Sequence, residues 1–199
     1  MKTLHAFNQF VVLLSLPLLL GGCGVEEPVT SLKYEIKGDA ITITDCDTGA
    51  SGALTIPATI EGNPVTSIGD TAFYYCTSLE SITIPDSVTS IGESAFSGCR
   101  SLTSIPFGED SELTSIGDQA FRDCSSLTSI TIPDTVTSIV ERAFWDCASL
   151  TAVTFHGDAP RAKNYIFHNS TPTIYRKPEA KGWGDTWGGR PVKLISEKP

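Results

Sequence analysis

Residues Leu79–Ser101 read LESITIPDSVTSIGESAFSGCRS, and this stretch returns along the chain. Leu79, Leu102, Leu127 and Leu150 open successive copies at intervals of 23, 25 and 23 residues. Phe73, Phe96, Phe121 and Phe144, each preceded by alanine, keep the same intervals, as do Cys76, Cys99, Cys124 and Cys147 three residues further on. A unit this short cannot bury its own apolar face, so copies must stack as the coils of a solenoid.

Within one unit the chemistry assigns each segment. Ser81-Ile82-Thr83-Ile84 alternates polar and apolar residues with period 2, which predicts a strand with Ile82 and Ile84 inward. Pro85 has no N–H for the ladder and begins a corner. Val88–Ile91 reads as a second extended run, and Gly92 turns the chain. Glu93–Phe96 reads as a single helical or 3-10 turn with its acid at the positive end. Cys99 closes the coil toward the core. Val140 stands where the other copies have Gly69, Gly92 and Gly117, so this position does not require a left-handed backbone.

The motif LxxIxIPxxVxxIGxxAFxxC resembles the BspA-type (Treponema pallidum-type) leucine-rich repeat of bacterial surface proteins. The resemblance implies a leucine-rich repeat solenoid over residues 51–156, horseshoe-like and β-rich with short helical or 3-10 turns. At its start, residues 33–45 (KYEIKGDAITITD) read as a hairpin around Gly38-Asp39, and 32–50 is taken as an N-terminal cap. From Gly157 on the repeat fades, and 157–199 is expected to form a C-terminal cap with a strand at Thr173–Arg176 and a Gly-rich closure around Trp183 and Trp187.

Residues 1–22 read as a processing signal: Lys2, the apolar run Phe10–Leu20, then Gly21-Gly22 before Cys23. An 11-residue run is too short to span a bilayer, which takes about 20 apolar residues. The segment resembles a bacterial lipoprotein signal, which implies that Cys23 is acylated and becomes the mature N-terminus, and that the chain goes to the outer membrane because Gly24 is not Asp. Residues 23–31 are then a tether, and the lipid is the expected contact with the membrane.

Net charge is −9, with 14 Lys+Arg against 23 Asp+Glu, which argues against nucleic acid as a partner. The charge is divided unevenly. Residues 23–159 hold 5 basic and 20 acidic residues, whereas 160–199 hold 8 basic and 3 acidic.

Candidate chemistry is sparse. Five cysteines remain beyond Cys23, namely Cys46 and the four of the ladder. Parallel inward side chains do not offer the disulfide torsion, and no C-x₂-C pair exists for zinc, so the ladder cysteines are expected to be buried, reduced fillers. Asp70, Glu93, Asp118 and Glu141 share one repeat position, but lack the D-x-D-x-D-G spacing that organises a calcium loop. His156 and His168 fall in no hydrolase-like motif. The expectation is a non-enzymatic protein without cofactor or metal.

Two function classes follow. The first is a displayed binding surface for an extracellular protein or glycan; the family resemblance implies adhesion. The second is physical: a spacer, or an ice-binding array built on the stacked pairs Thr66-Ser67, Thr89-Ser90, Thr114-Ser115 and Thr137-Ser138. Two coils carry insertions at the Pro corner, Ala58–Pro64 and Gly108–Glu112, and insertions in a solenoid gather on the face that is often functional. Glu61, Asn63, Glu109, Asp110 and Glu112 are therefore the candidate binding edge.

Overall fold

The computed structural model describes residues 32–162 and 165–198. The expected signal, tether and Cys23 lie outside the described residues. Among those described, the regular structure is strand apart from one 3-10 turn, Ile195–Glu197. The described residues form a stack of coils with two strand faces and one turn face.

The first strand face is the serine–isoleucine run. Asn63–Ile68, Ser90–Ile91, Ser115–Ile116, Ser138–Ile139 and Arg161–Ala162 pair in parallel, so that Ser67, Ser90, Ser115, Ser138 and Arg161 form one row. The isoleucines of the neighbouring row are buried. The expected hairpin is present at the head of this sheet: Leu32–Lys37 runs antiparallel to Ala40–Cys46, which pairs in parallel with Asn63–Ile68. Gly38, at φ 64, takes the first central position of the two-residue loop, as a type II′ turn requires.

The second strand face opens each coil. Ser51–Thr55 pairs in parallel with Ser78–Thr83, and Ser129–Ile132, Ala152–Phe155, Thr173–Arg176 and Arg190–Leu194 continue in the same sense. Between them only the bridge Ser81↔Ser104 remains. Here the third coil shortens the pattern to Ser104-Ile105-Pro106, and proline brings no N–H to a ladder that needs one.

The turn face differs from expectation. Glu93–Cys99 and its equivalents are successive turns rather than a helical or 3-10 element. Left-handed residues recur at two positions per coil, Thr71, Ser94, Gln119, Arg142 and Tyr165, then Tyr75, Gly98, Asp123, Asp146 and Asn169, with φ between 53 and 79. Seven of them, Thr71, Tyr75, Ser94, Gly98, Gln119, Asp123 and Asp146, turn the N–H out of their own turn to a carbonyl of the next coil. Ser94, Phe96 and Gly98 donate to the carbonyls of Asp118, Ala120 and Arg122, each at 2.8 Å. A helix would have consumed these donors within the coil. The interval between coils is thus hydrogen-bonded on this face as on the strands.

Gly69, Gly92 and Gly117 do not have positive φ, in agreement with the reading of Val140. Close approach is their reason: a Cβ on Gly117 would lie 2.6 Å from the carbonyl carbon of Gly92.

The core lies between the three faces. Phe73, Phe96, Phe121 and Phe144 are fully buried and stack face to face, with centroids 5.0, 5.4 and 5.3 Å apart. The stack goes one step beyond the expected boundary at residue 156. Phe167 lies 5.6 Å from Phe144, Arg161–Ala162 joins the first sheet, and Thr173–Arg176 joins the second. The sequence disguises this coil because Ile166 replaces the alanine and Ser170 the cysteine. Past it, Trp187 packs against Phe167 and Phe155, and its indole N–H donates to the carbonyl of Pro160 at 3.2 Å.

Candidate functional site

The Pro corners of successive coils line one edge, where the two insertions sit. In the first, Thr59–Ile60 pairs antiparallel with Asn63–Pro64, closing a two-residue turn in which Glu61 (φ 52) and Gly62 (φ 81) are both left-handed. This is a small hairpin. Its Glu61 carboxylate accepts a hydrogen bond of 3.1 Å from the buried Tyr34 hydroxyl, and the Asn63 amide donates to the Glu61 carbonyl at 3.4 Å. Glu61 therefore ties the insertion to the N-terminal hairpin, a duty not visible in its spacing.

The second insertion is pinned on both sides. Below it, Glu112 N–H donates to the Asp86 carbonyl at 2.8 Å, and Gly108 comes so close to the Asp86 carboxylate that any Cβ would collide. Above it, the Thr135 hydroxyl bridges the carbonyls of Ser111 (3.0 Å) and Leu113 (2.7 Å). Ser111 and Leu113 are buried while Glu109, Asp110 and Glu112 are exposed. The backbone is fixed and the carboxylates are left to water.

The edge carries the two insertions on either side of the Asp86-Ser87 turn, whose Ser87 hydroxyl donates to the Val65 carbonyl at 2.8 Å. Beside the second insertion lies a cleft of about 310 Å³, lined by Phe107 and Glu109 from the insertion side and by Asp134, His156 and Lys177 from later corners. Sequence reasoning assigned no role to Asp134 or Lys177. They occupy corners that follow Asp86 in later coils, and aligning corners instead of strands would have found them. A wider hollow of about 700 Å³ lies elsewhere, between the turn face and Gly188-Gly189, lined in part by Tyr165, His168 and Arg190. Near it His168 stacks on Trp145 at 4.0 Å, and Arg142 lies over the same indole at 5.6 Å.

The acidic row does not act as a unit. Asp70 accepts the Glu93 N–H at 2.7 Å, Glu141 pairs with Arg142 at 2.8 Å, and one buried oxygen of Asp118 has no hydrogen-bond partner. Among the described residues no three His, Cys, Asp or Glu side chains are grouped so as to hold a metal ion.

Cys46, Cys76, Cys99, Cys124 and Cys147 are free thiols and buried. Burial pushes the Cys99 and Cys147 thiols up to about 12 and holds Cys124 well above the ordinary thiol range. Such groups are poor nucleophiles near neutral pH. The ladder thiols nevertheless have polar work, since Cys99, Cys124 and Cys147 donate to the carbonyls of Phe73, Phe96 and Phe121 at 3.0, 3.2 and 3.0 Å.

The chain matches the BspA type leucine rich repeat region in six copies over residues 53–173. No curated protein matches it. Among solved structures, a leucine rich repeat protein of Treponema pallidum is 29% identical and superposes with a TM-score of 0.66 over 72% of this chain and 68% of that one. A leucine-rich repeat protein from Bacteroides capillosus is 37% identical, with a TM-score of 0.55 over 63% of this chain and 94% of its own. A leucine rich cell surface protein from Faecalibacterium prausnitzii is 32% identical, with a TM-score of 0.57; the match takes in 78% of this chain and 47% of that protein. With six repeats matched across the stacked coils, this chain belongs to the BspA-type leucine-rich repeat family.

Proposed function

We propose that the chain is a non-enzymatic surface lipoprotein whose Pro-corner edge binds an extracellular protein or glycan. The observation that carries this is the second insertion. Its backbone is held by Asp86 below and Thr135 above, so Glu109, Asp110 and Glu112 are presented in one arrangement with little entropy left to lose on binding. A surface location is supported by the likeness to the Faecalibacterium cell surface protein. Repeat solenoids present extended surfaces rather than enclosed pockets, which favours binding over catalysis.

The physical reading loses support at the threonine rows. Thr89, Thr114 and Thr137 turn their hydroxyls back onto the carbonyls of the preceding coil, at 3.1, 2.9 and 3.3 Å. Those hydroxyls serve stacking rather than an ordered outward lattice. Absence of thermal hysteresis at micromolar protein is the expected result.

The test is a pull-down from envelope and secreted fractions with the chain as bait, beside a variant carrying Glu109→Lys, Asp110→Lys and Glu112→Lys. Reversal of exposed interface charge should reduce recovery of the captured partner by about tenfold or more while leaving melting unchanged. Undiminished capture would move the site to the hollow at Tyr165, His168 and Arg190. Anchoring is tested separately: Cys23→Ala should abolish incorporation of labelled palmitate, and undiminished label would remove the lipoprotein reading.

A further inference from the structure

Each ladder thiol is matched to one carbonyl until the first coil is reached. Cys99, Cys124 and Cys147 each reach the phenylalanine carbonyl of the preceding coil at 3.0–3.2 Å, and Ser170 does the same with its hydroxyl to Phe144 at 2.7 Å. Beneath Cys76 there is no such phenylalanine. Ala50, whose N–H meets the Asp47 carbonyl at 2.9 Å, stands where Cys76 stands one coil later, with its N–H to Phe73 at 3.2 Å. The Asp47 carbonyl therefore replaces that of phenylalanine, and Cys76 reaches it only at 3.8 Å. Cys46, the last residue of the hairpin strand, approaches the same oxygen at 3.6 Å. The two thiols thus converge on one carbonyl oxygen. Both are buried.

From this convergence we propose that Cys46 and Cys76 form a disulfide that fastens the N-terminal hairpin to the first coil, while Cys99, Cys124 and Cys147 remain thiols. The parallel-ladder objection applies to neighbours within the ladder, whose side chains leave equivalent positions in the same direction. It does not apply here, because Cys46 comes from the end of a strand and Cys76 from the turn face. The other three sulfurs are each held by a short bond to a backbone oxygen, whereas these two share one distant acceptor.

The chemistry is exchange with a disulfide oxidant, either a small-molecule disulfide or the disulfide of a thiol oxidase. The thiolate of Cys76 attacks one oxidant sulfur and expels the other as a thiol. Cys46 then attacks the Cys76 sulfur of the mixed disulfide and releases the second oxidant thiol. The protons of Cys46 and Cys76 end on the two departing thiols, and the pair gives two electrons to the oxidant. Since both sulfurs are buried when the hairpin is docked, exchange takes place with the hairpin open, during folding or by local opening of this terminal element.

The experiment uses the full chain equilibrated with excess glutathione disulfide, quenched in acid, alkylated in denaturant and digested at acidic residues, because no Lys or Arg separates Cys46 from Cys99. The expected product is a Cys46–Cys76 peptide pair about 2 Da lighter than its two reduced peptides together, with Cys99, Cys124 and Cys147 alkylated. Cys76→Ser should free Cys46 for alkylation, and Cys99→Ser should leave the link intact. Recovery of both Cys46 and Cys76 as alkylated thiols overturns the proposal, and so does a link from Cys76 to Cys99. The oxidant is supplied in the assay, so the result does not depend on where the chain resides or what it binds.

Discussion

The turn face and the Pro-corner edge are both stacked once per coil, yet they tolerate variation in opposite places. On the turn face the inward positions are nearly invariant, Ala-Phe then Cys, while the outward left-handed positions hold Thr, Ser, Gln, Arg and Tyr in turn. At the corner even the length changes. The difference lies in what each region stacks on. Turn residues sit over a copy of themselves at about 5 Å and must match it, whereas the corners meet through a few backbone bonds that Asp86, Ser87 or Thr135 can supply from different places.

Substitution in the ring stack should break that contrast most severely. Phe96→Ala and Phe121→Ala each remove a fully buried ring stacked on both sides and should destabilise by ~3–5 kcal/mol in urea unfolding, loosening adjacent coils as well. A loss below ~1 kcal/mol would mean that the stack is not what holds the coils. Gly117→Ala should come next. Its methyl would enter a 2.6 Å gap against the Gly92 backbone, and overpacking of this kind costs ~1–3 kcal/mol. An unchanged midpoint would show that the coils can separate locally.

Alkaline pH probes the same interior. The thiols of Cys99 and Cys147 are held protonated by burial, rising from 9.0 to about 12. Between those values the unfolded chain releases protons that the folded chain keeps, so stability is full below pH 9 and declines as pH rises toward 12. Thermal melts across this range should show less decline in the Cys99→Ser, Cys147→Ser double variant; equal decline would place the sensitivity elsewhere. Cys124→Ser is the mild case. Ser170 already performs the thiol's task, and the exchange should cost about 1 kcal/mol or less in urea unfolding. At the other extreme Ser94→Gly relieves a left-handed residue on the tolerant side of the turn, and should raise the unfolding midpoint slightly, by up to ~1 kcal/mol. A clear loss there would mean that the Ser94 side chain is needed.

Much of the fold is legible in the sequence because stacking makes repetition compulsory: once Phe73, Phe96, Phe121 and Phe144 share their spacing, the ladder follows. Three features escape. The last coil escapes because its chemistry is conserved while its letters are not, Ser170 donating the bond a thiol donates elsewhere. The turn geometry escapes because left-handed φ is imposed here by hydrogen bonds to the next coil, on residues such as Thr71 and Gln119 that carry no glycine or asparagine signal. At the candidate edge the insertion lengths are readable, but Tyr34 bonding Glu61 joins residues 27 apart through a hairpin whose docking no local pattern encodes.

Most bonds between coils on the turn face pass from backbone to backbone, so a coil asks little of its neighbour's outward side chains. A tandem duplication of Leu79–Ser101 would meet compatible surfaces above and below, adding one rung of about 4.8 Å along the axis without redesign. Length in this architecture is therefore heritable in whole steps, and a gene encoding it can change reach by recombination while point mutation rewrites the outer face independently.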